Sequence, residues 1–234
     1  MAERSIPEQF AADGYSVVSD MLSSEEIRGV VSNFKELATD RAGIRKLLYR
    51  RWCQELARRL AREPRLRAVL PADAHAAQCT LFEKALDKNW FVTLHQDLSI
   101  PVAKRIDSAL CTGWSAKEGD LFVQPPISVL EDMVAIRLHF DDCDERNGAL
   151  RVVPGSHRLG RLNSAQALNA REVRGERVVQ VPRGGVMVMR PLLLHASSKA
   201  TADIPRRVLH FVFGPSSLPE GLSWRQSPKL TVAS

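Results

Sequence analysis

The sequence predicts a mainly β domain flanked by helices, and three observations predict it. Apolar residues recur at helical spacing chiefly before position 72. From Gln78 onward the period changes to short alternating or apolar runs broken by Gly, Pro, Asn and Asp, the pattern of a closed or sandwiched β fold. At 234 residues the chain can bury one good core, and β-rich domains of this size are commonly single. One domain over 1–234 is therefore expected, with a helical part at 20–72 and a β core at 78–215.

The elements follow in order. After a short strand at 15–18, Ser23 and Glu26 form a capping-box signature, in which hydroxyl and carboxylate each satisfy a backbone N–H that a first helical turn leaves open. Ile27, Val30, Val31, Phe34, Leu37 and Ala38 then define one buried helical face. A second helix is expected at 44–62, burying Leu48, Trp52, Leu56 and Leu60 and interrupted by Pro64. Leu66, Val69 and Leu70 suggest a short third helix, stopped by Pro71. Residues 78–84 and 89–95 read as neighbouring strands joined by a turn at 86–88. Residues 102–132 are polar and irregular, with Pro125-Pro126. Long loops inside compact domains are commonly functional, so this one is expected to be a lid, with Trp114 and Phe122 either contacting the substrate or simply anchoring the loop. Residues 133–140 read as a strand, 141–148 as a turn, and 149–153 as the returning arm of a hairpin. A helical excursion at 159–172 precedes strands at 177–181, 185–189, 192–195 and 207–213.

Composition excludes several classes. With 44% apolar and 26% charged residues, this is an ordinary globular chain. It has no apolar run of about 18 residues that would span a membrane, and its first residues lack a signal-peptide core, so a cytoplasmic location is expected. Cys53, Cys79, Cys111 and Cys143 are widely spaced without a Cys-x-x-Cys pair, which predicts reduced thiols rather than zinc or disulfides. Much of the net charge of +6 lies in an Arg-rich segment at 41–67. That segment lacks the interleaved aromatics of a nucleic-acid motif. A helix with Arg along one side reads first as a solvated face, and an anionic or carrier-linked small-molecule substrate, such as a CoA ester, is the partner the charge leaves open. Nothing in the sequence indicates an oligomeric state.

Function turns on His95-Gln96-Asp97. In an extended chain residues i and i+2 share a face, so His95 and Asp97 can meet one ion while Gln96 points elsewhere. Imidazole plus carboxylate is half a site, and the third donor is expected from His195, closing the run 192–195. Two His and one carboxylate on one side of an ion are the signature of non-haem Fe(II) oxygenases, although this donor set also suits Zn and Mn. His157, in the turn Pro154-Gly-Ser-His157, is the competing imidazole. The acidic residues at 141–145 lack EF-hand spacing and read as a solvated turn.

Three segments in this order resemble the phytanoyl-CoA dioxygenase-like family of Fe(II)/2-oxoglutarate-dependent oxygenases. They are Leu94-His-Gln-Asp-Leu98, Asn147-Gly-Ala-Leu-Arg-Val-Val-Pro-Gly-Ser-His157, and His195 with Arg206 eleven positions later. Gly14-Tyr-Ser-Val-Val18 with Ser23-Ser-Glu-Glu26 looks like the family's opening. The resemblance implies a double-stranded β-helix (jelly roll, cupin-like), with His95, Asp97 and His195 as Fe(II) ligands and His157 left in its turn. It assigns Arg206 to the distal carboxylate of 2-oxoglutarate, a bidentate role that a guanidinium suits. Arg207 should face the other way. Ser197 and Thr80 match further co-substrate contacts, and Gln96, Trp114 and Arg137 are candidates for substrate contact. Arg137 stands where relatives often carry an aromatic residue; binding an anionic substrate and pairing with Glu131 or an acidic turn residue are both open. The implied reaction uses O2 and 2-oxoglutarate, releases succinate and CO2, and hydroxylates an unactivated C–H. Retention of Asp97 argues against halogenation. The alternative is a non-catalytic or 2-oxoglutarate-independent metal-binding cupin-type protein, for which Arg206 is the awkward residue.

Overall fold

The structure is a computed structural model that describes residues 4–37 and 43–225; Ala38 and the first two positions of the Arg-rich segment at 41–67 lie outside them. The chain opens with α1 (Ile6–Asp13), β1 (Tyr15–Val18), α2 (Ser24–Ser32), β2 (Gly43–Ile44), α3 (Arg51–Arg62) and α4 (Pro64–Arg67). Then come β3 (His75–Lys84), β4 (Val92–His95), β5 (Ile100–Val102), β6 (Thr112–Lys117), β7 (Asp120–Gln124) and α5 (Ile127–Asp132). The chain continues through β8 (Val134–His139), β9 (Leu150–Val152), α6 (Ser164–Arg174), β10 (Arg177–Val179), β11 (Val186–Met189), β12 (His195–Ser197) and β13 (Arg206–Gly214).

Local chemistry explains the helix ends. The Ser23–Glu26 capping box forms as expected, with the Ser23 N–H on Glu26 Oε2 at 2.8 Å and the Glu26 N–H on Ser23 Oγ at 3.3 Å. A second box, Ser5 with Glu8, starts α1, a helix the periodicity did not announce. The helix expected at 44–62 begins only at Arg51, because Ile44 pairs with β3 and Lys46 takes a left-handed backbone, φ +63°. Among the described residues no helix is long and apolar enough to cross a membrane. All four cysteines are buried and unpaired.

The strands make a six-stranded sheet, β1-β11-β8-β13-β3-β2, a four-stranded sheet, β10-β9-β12-β4, and a three-stranded sheet, β5-β7-β6. In β8, Val134, Ile136 and Leu138 turn outward to a cluster with α2 and α3, while Ala135 turns inward and packs with Leu150, Val152 and Met187. That alternation is what one strand between two layers requires. The two larger sheets thus close on each other as a double-stranded β-helix with helices on its outer face.

Three expectations are corrected. β3 and β4 are not neighbours: β3 pairs with β13 and β4 with β12, in different sheets. β8 and β9 do not form a hairpin; β9 pairs with β10 and β12, so residues 141–148 cross from one sheet to the other. Residues 102–132 are not irregular but build β6, β7 and α5. The pairs β3 and β4, and β8 and β9, are split between sheets although consecutive, while β6 with β7 and β9 with β10 do pair, so adjacency along the chain does not decide pairing here.

Candidate metal centre

Antiparallel pairing of β4 and β12 sets His95 directly across from His195, with ring centres 4.2 Å apart. Asp97 lies just past the end of β4, where its N–H donates to the Pro191 carbonyl at 2.9 Å. Its carboxylate oxygens stand 3.7 Å from His95 Nε2 and 3.8 Å from His195 Nε2. One donor atom from each of the three residues lies within 4.8 Å of the others.

The rings are also set in the right tautomer. His95 Nδ1 lies 2.8 Å from the Thr93 carbonyl and His195 Nδ1 lies 2.9 Å from the Leu193 carbonyl. A carbonyl only accepts, so each neutral ring carries its proton on Nδ1 and turns an Nε2 lone pair toward Asp97. Burial lowers the His195 pKa to about 4 despite Asp97 beside it, which keeps the ring unprotonated. His95 is shifted upward: burial opposes the charge, but the Asp97 carboxylate outweighs it. Burial would raise Asp97, yet the facing His195, His95 and His210 hold it well below the usual carboxylate range. Three such donors, open on one side to a cavity, fit a divalent first-row metal ion.

The cavity holds about 470 Å³ and is walled by the inner face of the six-stranded sheet. There His210 lies between Arg137 and Thr80 in register. Arg137 Nη1 donates to His210 Nδ1 at 3.0 Å. A guanidinium has no acceptor, so the His210 proton sits on Nε2, which faces Asp97 Oδ2 at 3.8 Å. His210 is thereby turned as a donor toward the candidate ligand Asp97. Reasoning from the sequence missed it, although it lies four residues from Arg206 on the same side of β13.

At the far end Arg206 is 2% exposed and stands opposite Lys84. Its Nη1 donates to the Gly148 carbonyl, while its Nε is buried without a partner. Lys84, also missed, is fully buried; its Nζ donates to Ser197 Oγ at 2.9 Å and to the Ser198 carbonyl at 2.7 Å. Burial and the nearby Arg206 charge lower its pKa to about 7. Ser197 Oγ donates onward to the Gly148 carbonyl at 2.8 Å, and Thr80 Oγ1 accepts from Gln78 Nε2 at 3.1 Å. Arg207 faces outward as expected, its guanidinium on Asp141 at 2.6 and 2.9 Å.

Two substrate candidates have other work. Gln96 borders the cavity, but Nε2 donates to the Gly160 and Leu192 carbonyls at 2.8 and 2.7 Å, and Oε1 accepts the Leu162 N–H at 2.9 Å. Its amide ties two segments to the metal strand instead of reaching for a ligand. Trp114 donates to the Cys111 carbonyl at 3.1 Å and packs in the cluster of the three-stranded sheet; Phe122 and Lys117 from that sheet line the cavity instead. Arg137 also lines it, paired with neither Glu131 nor the acidic turn but bonded to His210. His157 packs on Gly14, apart from the three donors.

A double-stranded β-helix holding two imidazoles and a carboxylate at one end of a cavity, with a buried arginine at the other, defines the class of non-haem Fe(II) oxygenases. The family model for phytanoyl-CoA dioxygenase (PhyH) matches residues 10–208. The chain belongs to this family of Fe(II)/2-oxoglutarate dioxygenases. No curated protein sequence matches it. Among solved structures it is similar to EctD from S. alaskensis in its apoform, with 16% identity over 95% of this chain and 84% of that one, TM-score 0.67. AviO1 from Streptomyces viridochromogenes Tue57 has 19% identity over 92% and 95%, TM-score 0.64. HygX from Streptomyces hygroscopicus, with nickel, 2-oxoglutarate and hygromycin B bound, has 20% identity over 90% and 86%, TM-score 0.61. At these identities the likeness is one of fold.

Proposed function

We propose that the protein hydroxylates an unactivated C–H of a small molecule, consuming O2 and 2-oxoglutarate and releasing succinate and CO2. The observation that carries this reading is the pairing of the His95–Asp97–His195 donors with buried Arg206 across one cavity. HygX, similar in fold, has been seen with nickel, 2-oxoglutarate and hygromycin B bound, which supports the same use of this cavity here. His95, Asp97 and His195 would hold Fe(II), which with O2 and 2-oxoglutarate supplies oxidising power that side chains lack. His210, whose Nε2 faces Asp97 Oδ2 at 3.8 Å, would help to hold that carboxylate toward the ion. Arg206 would take the distal carboxylate as a bidentate fork, with Ser197 and Thr80 as the neighbouring hydroxyls and Lys84 as a second cation. Residues 102–132 would cover the substrate and exclude water. Four buried, unpaired thiols support a reducing, cytoplasmic compartment.

Titrating Fe(II) and 2-oxoglutarate separately tests the reading. Iron should bind alone, 2-oxoglutarate should bind the iron-loaded protein, and succinate should form on admitting O2. Iron uptake with no binding of 2-oxoglutarate would leave a metal-binding cupin-type protein instead.

A further inference from the structure

We infer that the substrate carries an acidic group, a carboxylate or a phosphate, and that Arg137 and Lys117 receive it. The inference rests on the oxygenase reading above. Four cationic side chains line the cavity, Arg45, Lys117, Arg137 and Arg206, against the single carboxylate of Asp97. A divalent ion, Asp97, dianionic 2-oxoglutarate and Arg206 together carry no net charge, and Lys84, behind the lining beside Arg206, adds only positive charge. Arg45 is balanced by Glu118 at 2.8 Å. Arg137 and Lys117 remain, and neither has a carboxylate partner among the described residues.

Arg137 is the sharper case. It is 5% exposed, its Nε is buried without a partner, and its one hydrogen-bonding neighbour is the His210 ring. The nearest opposite charge it feels is Asp97, whose charge a bound metal would take up. Burying a guanidinium without a counter-charge is costly. Shedding the proton is no escape, since burial and Arg206 bring its pKa down only to about 10. Arg137 is aligned with His210, four residues along β13 from Arg206, a separation of roughly 13 Å at strand rise. Their backbones are thus set apart, yet the Arg206 charge still reaches Arg137 and adds to the cost of leaving it unpaired. Aromatic faces back both free cations: Phe82 lies 5.7 Å from the Arg137 guanidinium and Phe122 4.8 Å from Lys117 Nζ. Such faces steady a cation without neutralising it and offer apolar walls beside an acid group.

The same guanidinium could meet the metal-binding carboxylate of 2-oxoglutarate, so the test separates the two sources. Fe(II)-loaded protein saturated with 2-oxoglutarate, kept free of O2, is titrated calorimetrically with hexanoate, benzoate and hexyl phosphate, and with hexanamide, benzamide and hexanol. At least one acid should bind about tenfold or more tightly than its neutral partner, and Arg137→Gln and Lys117→Gln should each cut that preference to about threefold or less. Lys117 lies on an exposed strand, so its variant stays informative if Arg137→Gln folds poorly. In both variants the affinity for 2-oxoglutarate should stay within about threefold of the parent's. Neutral probes binding as well as acids, or no acid binding, would overturn the inference. So would an Arg137→Gln variant that loses 2-oxoglutarate as Arg206→Ala does. A parent protein that never binds 2-oxoglutarate would instead sink the oxygenase reading, and acid preference would then be measured on the metal-loaded protein alone.

Discussion

Replacing Arg206 with alanine should weaken 2-oxoglutarate binding about 30-fold to 150-fold and leave iron uptake little changed. Arg206 is 2% exposed and its guanidinium meets the Gly148 carbonyl and the Cys143 thiol, neither of them a counter-charge, so a carboxylate arriving there pairs with a charge shielded from water. Removing one partner of such a pair costs about 2–5 kcal/mol, largely because the other charge is left unpaired. Lys84 stands directly across the strand and keeps positive charge at that end, which selects the lower part of the range, about 2–3 kcal/mol. At about 1.4 kcal/mol per tenfold, that is the interval stated. The assay is titration of 2-oxoglutarate into the Fe(II) protein without O2. Arg206→Lys should fall between parent and alanine, since it keeps the charge and loses the fork. Arg207→Ala, whose side chain is engaged outside by Asp141, should bind 2-oxoglutarate as the parent does. An Arg206→Ala protein that binds normally would refute the assignment.

Further outcomes follow from other residues. His95→Ala, Asp97→Ala and His195→Ala should each abolish succinate formation with the fold intact by circular dichroism, whereas His157→Ala should turn over normally; the reverse for His157 and His195 would overturn the ligand set. Gln96→Leu should lower unfolding stability in urea by about 2–4 kcal/mol: the buried Leu192 carbonyl is orphaned at about 1–3 kcal/mol, and the part-buried Gly160 carbonyl and Leu162 N–H add less because water can reach them. Parental stability there would mean the amide is spare. The Lys84 ammonium has its folded pKa lowered from 10.5 to about 7, so between those values the unfolded chain holds more protons. Stability of the metal-free protein should therefore rise with pH across that window, by up to about 1.4 kcal/mol per unit from this group. Below the window both states are protonated and the contribution is flat. Lys84→Met should lack that part of the rise, and equal slopes in the two proteins would refute it.

What could be read beforehand follows from what one strand can encode. Alternation separated His95 and Asp97 from Gln96, since a period of two belongs to a single strand; the family resemblance picked Arg206, and alternation then turned Arg207 the other way. Which strand lies beside which is not written locally. Residues 78–84 with 89–95, and 133–140 with 149–153, read as neighbours because short-range pairing is the usual case, but the jelly roll sends each pair to opposite sheets. Lys84 and His210 stayed hidden for the same reason, as their meaning comes from facing Arg206, Arg137 and Thr80 in register. The strands within 102–132 went unseen because Gly, Ser and Lys dilute any apolar rhythm in β6. Trp114 looked like a ligand contact only while that stretch lacked a core of its own to bury it.

The three-stranded sheet bears on how this enzyme could acquire a new specificity. Its strands join neither of the larger sheets and pack chiefly on a separate cluster that includes Ile100, Val102, Val123, Leu130, Leu222 and Trp224. The donors His95 and His195 belong to strands of another sheet, and Arg206 to a third. Randomising Lys117, Phe122 and Gln124 would recast one wall of the cavity with the metal donors and Arg206 untouched. Most members of such a library should still fold and load iron, so selection would act on substrate choice alone. This hairpin is where directed evolution should begin, and a grafted loop there would have to keep Glu118 and Asp120 for Arg45, Lys46 and Arg225.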